Sequence, residues 1–246
     1  MSEIIKRTPI TYINGDTQVR KEDSVIREAH VAVYIDEKQV LSAPCLDTER
    51  ELFLYGALFI QKGIFPEDVN RIEWKGLTAF VYLNEGYAPV ETALGIVRSP
   101  LGPLFSSQVL CRTVEKFQRL SSLFQTTGAV HVAALATTQE ILFWDEDISR
   151  RTAIDKVIGA WILSGGRPET GGFFEKDLRE KDLRESRRPD TLSECFLITS
   201  GRISNDIVMR AIRIGVPLIV SVAPPSDRAI ETAHKHKLTL IGFARP

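Results

Sequence analysis

The sequence predicts an α/β protein, α+β overall, with a three-layer sheet in its C-terminal part. From Gly128 onward, apolar runs alternate with segments of helical periodicity, a pattern typical of helices packed on a sheet. Residues 217–222 read Pro-Leu-Ile-Val-Ser-Val, which indicates a strand buried on both faces. Residues 11–84 combine short β-type runs with one helical segment. We therefore expect a smaller N-terminal α+β region, residues 1–104, and a C-terminal α/β domain, residues 105–246.

The N-terminal region contains one segment with clear helical spacing. Residues 49–61 repeat apolar side chains at helical intervals, with Thr48 and Glu51 placed as a capping box and Gly63 just past the end. Strands are expected at residues 30–34 and 79–83. A stretch rich in proline and glycine, residues 89–103, then predicts a linker, and residues 111–124 predict the first helix of the second domain.

The C-terminal domain is expected to begin with a hairpin, because Thr137-Thr138-Gln139 separates two apolar runs. Ser149 stands where a helix N-cap is expected, ahead of an apolar periodic series. Residues 173–190 repeat Asp-Leu-Arg-Glu and alternate in charge, which predicts a solvated helix or a loop. The expected elements are strands at 129–136, 140–144, 195–199, 218–222 and 238–243, and helices at 150–163, 205–214 and 227–236.

Composition excludes several classes of protein. The net charge of −1 over 246 residues argues against a nucleic-acid-binding protein. No run of about 18 apolar residues is present, and the first residues lack the apolar core of a signal peptide, so we expect no membrane association and a cytoplasmic location. Three widely spaced cysteines, Cys45, Cys111 and Cys195, suit neither a disulfide framework nor a structural zinc site.

Two arginines in the first turn of the expected helix at 150–163 point to an anion. Arg150 and Arg151 lie where the helix dipole already concentrates positive charge, an arrangement that needs a negative partner. That partner is either a bound phosphate or the acidic run at residues 145–147. The sequence leaves both alternatives open.

A fold-level rule locates the remaining candidates. In open α/β sheets the ligand lies beyond the carboxyl ends of the strands, which selects residues 145–151, 200–204, 223–226 and 243–245. Arg202 is able to bind phosphate or a guanine edge, or to form an ion pair with a neighbouring acid. Ser204 either caps the next helix or contacts the ligand. Phe243 and Arg245 are suited to stack on and clamp a flat base.

Several motifs in one order resemble the formate dehydrogenase accessory family, FdhD/NarQ. TGAVHVAAL resembles the family's TGG-x-HAAAL, and EDISRRTAIDKVIG resembles its ED-VGRHNA-DK-xG. Downstream, TSGRIS, a segment containing VAPPS, and LIGFAR match further family motifs, as does SAPCLDTERELFLYGALFIQKGI near the N-terminus. The resemblance covers most of the chain.

What the resemblance implies is a C-terminal fold similar to the cytidine deaminases and a homodimer. Family members relay sulfur from a cysteine desulfurase to the molybdenum cofactor before it enters formate dehydrogenase. The GF-x-R motif is implied to bind the guanine nucleotide part of molybdopterin guanine dinucleotide. The expected cofactor-binding residues are His131, Asp147, Arg150, Arg151, Asp155, Lys156, Ser200, Gly201, Arg202, Ser204, Gly242, Phe243 and Arg245.

One departure concerns the family's CG-x-CG motif, which carries the persulfide. Leu94 and Val97 stand where the two cysteines belong, and neither side chain can carry sulfur. Cys111, beside Arg112, is either a substitute thiol or a buried core cysteine. The chain is therefore a sulfurtransferase, or a carrier or chaperone that keeps the nucleotide pocket without sulfur relay, and the sequence leaves its status as an enzyme open. A second departure is Arg151, where the family more often has histidine.

The deaminase-like fold raises a rival enzyme, which the sequence itself excludes. Zinc deaminases need H-x-E on one helix and P-C-x-x-C on the next, to hold the metal and move a proton. Here His131-Val-Ala lacks the glutamate, and Ser200-Gly-Arg begins the second segment. No metal site is therefore expected, and His131 is either a buried, hydrogen-bonded side chain or a ligand contact.

Overall fold

The computed structural model describes residues 4–87, 105–168 and 192–245. It is a mixed α/β structure with three sheets in the described residues. The expected boundary between residues 104 and 105, the positions Leu94 and Val97, and the charged segment 173–190 involve residues outside this described part.

The chain begins with an antiparallel ribbon of β1 (Ile5–Asn14) and β2 (Thr17–Ile26), which the sequence did not predict. Its base packs on a small cluster with Leu46, Leu123 and Val130. Most ribbon side chains are exposed, including Tyr12 and Ile13. Because neither face is covered, the ribbon lacks the apolar alternation by which strands are recognised.

A four-stranded sheet follows, with one helix against it. Strands β3 (Ala29–Ile35), β4 (Lys38–Cys45), β5 (Val69–Lys75) and β6 (Thr78–Leu83) lie in the order β4-β3-β6-β5. Helix α1 (Arg50–Lys62) buries Phe53, Leu54 and Ala57 in one cluster with Val31 and Val33 of β3. The predicted strands at 30–34 and 79–83 and the predicted helix are confirmed.

The predicted capping box of α1 is wrong. The N-cap is Glu49, in a left-handed conformation with φ 48°, and it makes no side-chain cap bond. The Thr48 hydroxyl accepts a hydrogen bond from the Lys156 ammonium instead, at 3.2 Å. The Thr48 hydroxyl bonds to Lys156 rather than to a helix amide because an unpaired buried ammonium costs more free energy than an amide that water can reach.

The predicted helix at 111–124 is two helices, α2 (Ser107–Gln118) and α3 (Ser122–Thr127). Ser121 separates them, because its hydroxyl accepts from the Phe124 amide at 2.7 Å and caps α3. The apolar face of α2 continues across the break, so periodicity alone did not reveal it.

The largest sheet has five strands in the order β11-β10-β9-β7-β8. They are β7 (His131–Ala136), β8 (Ile141–Asp147), β9 (Phe196–Thr199), β10 (Leu218–Ser221) and β11 (Thr239–Ile241). Strand β7 is antiparallel to both β8 and β9, whereas β9, β10 and β11 run parallel. The predicted hairpin is therefore confirmed.

Helices lie on both faces of this sheet. Helices α4 (Arg150–Leu163), α5 (Asn205–Ile214) and α6 (Asp227–Lys235) pack on one face. Helix α2 covers the other face, where Leu110, Val114 and Phe117 meet side chains of β7, β9 and β10. The predicted three-layer arrangement is confirmed, and the bounds of α4 and α5 match those predicted.

Helix α1 joins the N-terminal region to the C-terminal sheet. Phe59 and Ile60 belong to the same core cluster as α4 and α5. Gly56 of α1 and Gly159 of α4 allow the two backbones to meet without intervening side chains. In the described residues, no helix has the length and apolar character needed to cross a membrane.

Candidate functional site

The carboxyl ends of four strands and the start of β7 lie along one edge of the five-stranded sheet. We call this the pocket edge: His131 with residues 147–151, 200–204, 223–226 and 242–245. Its turns are bonded together, because the Ser221 hydroxyl donates to the Gly201 carbonyl at 2.7 Å. The Ile203 amide donates to the Pro224 carbonyl at 3.1 Å. The segments selected by the fold-level rule are therefore neighbours in space.

His131, Ser200, Gly201 and Arg150 meet at the centre of the pocket edge. The Ser200 hydroxyl accepts from the Val132 amide at 2.9 Å and lies 3.3 Å from His131 Nδ1. A Cβ on Gly201 would lie 3.0 Å from Cβ and Cδ of Arg150 and 3.3 Å from His131 Nδ1. Glycine is therefore required there to let the Arg150 side chain approach the turn.

The centre of the pocket edge is electropositive. Burial lowers the pKa of His131, and the positive charges of Arg150 and Arg202 lower it further. Arg202 is exposed and Arg150 is half-buried. In the described part of the chain, neither guanidinium lies within 4 Å of a carboxylate. Two guanidinium groups without a carboxylate partner in the described residues, beside an imidazole whose pKa is lowered, form an arrangement that suits an anion.

Two helix N-termini add to this positive potential. Helices α4, α5 and α6 have Ser149, Ser204 and Ser226 as N-cap residues, all at the pocket edge. The Ser226 hydroxyl accepts from the Ala229 amide at 3.3 Å. Ser149 and Ser204 make no such cap bond within the described residues. The cap hydroxyls of α4 and α5 therefore satisfy none of the first-turn amides, although the Ile207 amide donates to the Ser204 carbonyl at 3.0 Å, and the remaining amides favour an anion there.

Phe243 extends the pocket edge with an apolar surface. Its side chain is 62% exposed, and its backbone adopts φ 55°. Before it, Gly242 passes so close to the next turn that a Cβ would lie 2.7 Å from Cδ of Pro225. Arg245 follows and is exposed. An exposed ring beside cationic groups suits a planar base.

The side chains of Asp147 and Lys156 are buried beneath the pocket edge rather than exposed on it. The Lys156 ammonium is fully buried, 2.9 Å from Asp147 Oδ2 and 3.6 Å from Asp145 Oδ1. Burial raises the pKa of the Asp145 carboxyl to about 6, although Lys156 opposes the shift. Asp145 and Asp147 are thus directed to Lys156, and the Glu146 carboxylate accepts a hydrogen bond from the Ser121 hydroxyl. Within the described residues, none of the three pairs with Arg150.

Asp155 and Arg151 belong to a second ion-pair network, between α4 and α5. Both oxygens of Asp155 accept from Arg210, at 2.8 and 3.0 Å. Arg210 also donates to Asp206 at 2.6 Å, and Asp206 lies 3.4 Å from Arg151. Of the two adjacent arginines, Arg151 therefore has an acidic partner among the described residues and Arg150 has none there.

The cysteines are poorly placed for sulfur chemistry at the pocket edge. Burial raises the pKa of Cys45 to about 11 and that of Cys195 to about 12. Cys111 is exposed on α2, whose start lies beside the opposite edge of the sheet, because Phe105 packs on Phe196 at the beginning of β9. The described residues contain no group of three or more potential metal ligands.

Sequence reasoning missed the partners of the buried charges. Arg210, Thr48 and the Leu46 amide complete these networks; Arg210 lies outside every motif, and Leu46 and Thr48 lie in the N-terminal motif without having been predicted as partners of Asp147 and Lys156. An arginine on the apolar stripe of α5 was the available signal for Arg210, because a buried guanidinium needs an acid. Thr48 was predicted only as a helix cap, and no local pattern pointed to Lys156, which lies 108 positions away.

The sequence matches a known protein family over more than half of its length. The model of the FdhD/NarQ family matches residues 88–246. A protein of Sulfolobus acidocaldarius named "Sulfur carrier protein FdhD" is 27% identical, over 98% of this chain and 93% of the relative. Relatives with the same name occur in Halalkalibacterium halodurans, 25% identical over 96% and 88%, and in Listeria monocytogenes, 23% identical over 99% and 94%.

The fold is also found in a solved structure. A crystal structure of a protein from Desulfotalea psychrophila, provisionally assigned as a formate dehydrogenase accessory protein, aligns with a TM-score of 0.74. The alignment covers 99% of this chain and 94% of that one, at 20% identity. At this identity the likeness concerns the fold, and it confirms the mixed α/β class.

Proposed function

Because the chain belongs to the FdhD/NarQ family, we propose that it is a sulfur carrier of the FdhD type that serves formate dehydrogenase. Its full-length relatives are named sulfur carrier proteins. The partner implied is a formate dehydrogenase, with a cysteine desulfurase as sulfur donor. A homodimer belongs to the same proposal, and sedimentation of the purified protein tests it.

The cargo that suits the pocket edge is the molybdenum cofactor, held by its guanine nucleotide end. The observation that carries this proposal is the pair of unpaired guanidinium groups, Arg150 and Arg202, beside two helix N-termini without hydroxyl caps. A pyrophosphate is negatively charged, so it would balance the two guanidinium groups and accept hydrogen bonds from them. Phe243 offers a ring on which guanine can stack. When bound, the cofactor would supply the molybdenum centre that receives sulfur.

A second function is a carrier or chaperone that holds the cofactor without transferring sulfur. Leu94 and Val97 replace the family's cysteines. Cys45 and Cys195 are buried thiols of raised pKa, so they supply little thiolate. Cys111 is the exposed thiol, and it lies on the helix that begins at the far edge of the sheet.

Persulfide mapping separates the two functions. The protein is incubated with a cysteine desulfurase and cysteine, persulfides are trapped by alkylation, and peptides are identified by mass spectrometry. A labelled Cys111 that disappears in Cys111→Ser supports sulfur transfer. If no cysteine is labelled, the carrier function remains and sulfur transfer by this chain is excluded.

Nucleotide binding tests the pocket directly. Guanosine diphosphate binding is measured by calorimetry for the wild type, Arg202→Ala and Arg20→Ala, the control being an exposed arginine of the ribbon. Loss of a charge-assisted contact should weaken binding of Arg202→Ala by about 10- to 150-fold, whereas the control should bind normally. Adenosine diphosphate and inorganic diphosphate show how much of the affinity comes from guanine. Equal affinity in all three proteins would remove the proposed pocket.

A further inference from the structure

Lys156 is a buried cation whose contacts lie at the end of β8, including Asp145 at 3.6 Å, and in the turn between β4 and α1. Its side chain has no exposed surface, and it lies on the second turn of α4. Its ammonium donates to the Glu146 carbonyl and to the Thr48 hydroxyl, each at 3.2 Å. Together with the Asp147 carboxylate at 2.9 Å, these acceptors use all three ammonium protons.

Asp147 completes the connection from the other side. One carboxylate oxygen accepts from the Leu46 amide at 3.1 Å, and the other accepts from the Ser149 amide at 3.3 Å. The Lys156 and Asp147 side chains thus join three segments: the turn between β4 and α1, the end of β8, and the start of α4. We call this group of contacts the Lys156 hub.

The hub bears directly on the position of Arg150. Ser149, which Asp147 holds through its amide, is the N-cap of α4, and Arg150 is the first residue of that helix. On its other side, Arg150 lies against Gly201, where a Cβ would come within 3.0 Å of it. Arg150 is therefore confined between the hub and the turn after β9.

We propose that Lys156 and Asp147 are positioning residues, which fix the turn from Glu146 to Arg150 so that the Arg150 guanidinium faces the anion at the pocket edge. This inference rests on the proposed nucleotide binding and adds how the N-terminal region takes part in it. Through Leu46 and Thr48, the turn between β4 and α1 becomes a support of the pocket.

A purely stabilising role does not account for this choice of residues. A buried ion pair is often no more stabilising than apolar side chains of the same volume, because desolvation offsets the attraction. Unlike apolar contacts, the hydrogen bonds of the pair are directional, so each proton and each lone pair fixes one partner at one distance. The partners lie in two places. Glu146 and Ser149 lie beside the pocket edge, and Leu46 and Thr48 lie in the turn between β4 and α1.

The test compares Lys156→Met with a stability-matched control, Leu58→Ala. Met keeps the length of the side chain without the charge, and Leu58 is buried against the N-terminal sheet, away from the hub. For each protein, hydrogen exchange of residues 146–153 is measured without ligand, and guanosine diphosphate affinity by calorimetry. We expect faster exchange in that turn and about tenfold weaker binding for Lys156→Met alone.

Two further variants keep the inference open to refutation if Lys156→Met does not fold. Asp147→Asn with Lys156→Met removes both charges of the 2.9 Å pair and should recover part of the thermal stability, because Asp145 still loses its counter-charge, but neither exchange protection nor affinity. Thr48→Val removes one acceptor and adds no buried charge. It should make exchange faster and nucleotide binding weaker, each by less than Lys156→Met does. Wild-type exchange and affinity in a folded hub variant overturn the inference. If the wild type does not bind guanosine diphosphate, the proposed nucleotide pocket is wrong. The exchange measurement still tests whether Lys156 fixes the turn from Glu146 to Arg150.

Discussion

Gly56 of α1 and Gly159 of α4 face each other across a backbone-to-backbone contact. A Cβ on Gly56 would lie 1.8 Å from the Asp155 carbonyl oxygen, and one on Gly159 would lie 1.8 Å from the Leu52 carbonyl oxygen. Both obstacles are helix backbone, which cannot swing aside as a side chain can. This contact brings α1 close enough for Thr48 to reach Lys156.

Alanine at Gly159 should therefore force the two helices apart. We expect Gly159→Ala to lower the free energy of unfolding by about 3 kcal/mol or more, at the upper end of overpacking effects. Urea denaturation followed by circular dichroism measures it. Ala160→Ser, a half-buried change of similar size on the next residue of α4, should cost under about 1 kcal/mol. Similar losses in both variants would contradict the close approach.

Gly201→Ala should weaken ligand binding without unfolding the protein. The added methyl would lie 3.0 Å from Cβ and Cδ of Arg150, and because Cβ is fixed to the helix backbone, Arg150 and the turn at Gly201 must separate by a few tenths of an ångström. We expect guanosine diphosphate affinity to fall about tenfold, since a misaligned charge-assisted bond loses most of its strength. Calorimetry gives the affinity and thermal melting gives the stability. A variant that binds as the wild type does would show that Arg150 is not a ligand contact.

Asp145 should make the protein less stable as the pH rises through its titration. Burial raises its pKa from 3.8 to about 6, so between those values the folded state binds more protons than the unfolded state. Its contribution to stability is present below pH 4 and is lost as the pH approaches 6. At about 1.4 kcal/mol per pH unit, the loss is at most about 3 kcal/mol.

Asp145→Asn should remove this dependence. Lys156 would keep the nearer Asp147 as its single counter-charge, 2.9 Å away. We therefore expect the variant to be more stable than the wild type at pH 7.5 and to converge with it near pH 4. Urea denaturation at several pH values measures the difference. A variant that is less stable at pH 7.5 would show that the second carboxylate is needed by Lys156.

His131 should take up a proton when an anion binds. Burial and the charges of Arg150 and Arg202 lower its pKa in the free protein. A bound phosphate would oppose both guanidinium charges, so the pKa of His131 should rise on binding, and affinity should increase as the pH falls through that raised pKa. Calorimetry at pH 6 in two buffers of different ionisation enthalpy measures the protons taken up. His131→Gln should abolish this uptake, and an unchanged uptake would assign it to another group.

The elements that sequence predicted well are those whose ends carry local signals. Helices α4 and α5 begin after Ser149 and Ser204, and α5 ends at Gly215, which has φ 81°. The β1–β2 ribbon gave no such signal, because both of its faces are exposed and its residues need not alternate. The break between α2 and α3 was hidden for the opposite reason, since buried side chains continue on both sides of Ser121.

The candidate site was predicted as a set of segments rather than as a set of contacts. The rule for strand ends correctly gathered Arg150, Gly201 and Phe243 along one edge. The rule also selected Asp147, and resemblance added Asp155 and Lys156 to the same list, but sequence cannot tell a side chain that faces a ligand from one that holds the turn beside it. Their direction depends on Leu46, Thr48 and Arg210, which are 55 to 108 positions away.

The pocket edge is assembled from distant parts of the chain. The Ser200 hydroxyl reaches His131 across 69 positions, and Ser221 reaches Gly201 across 20. Local unfolding of any one of these segments would destroy the binding site. Ligand affinity is therefore linked to the cooperative unfolding of the whole sheet. A ligand at 100 times its dissociation constant should then raise the global free energy of unfolding by about 2.7 kcal/mol. Melting temperature, measured against ligand concentration, therefore reports occupancy even where binding produces no chemical change.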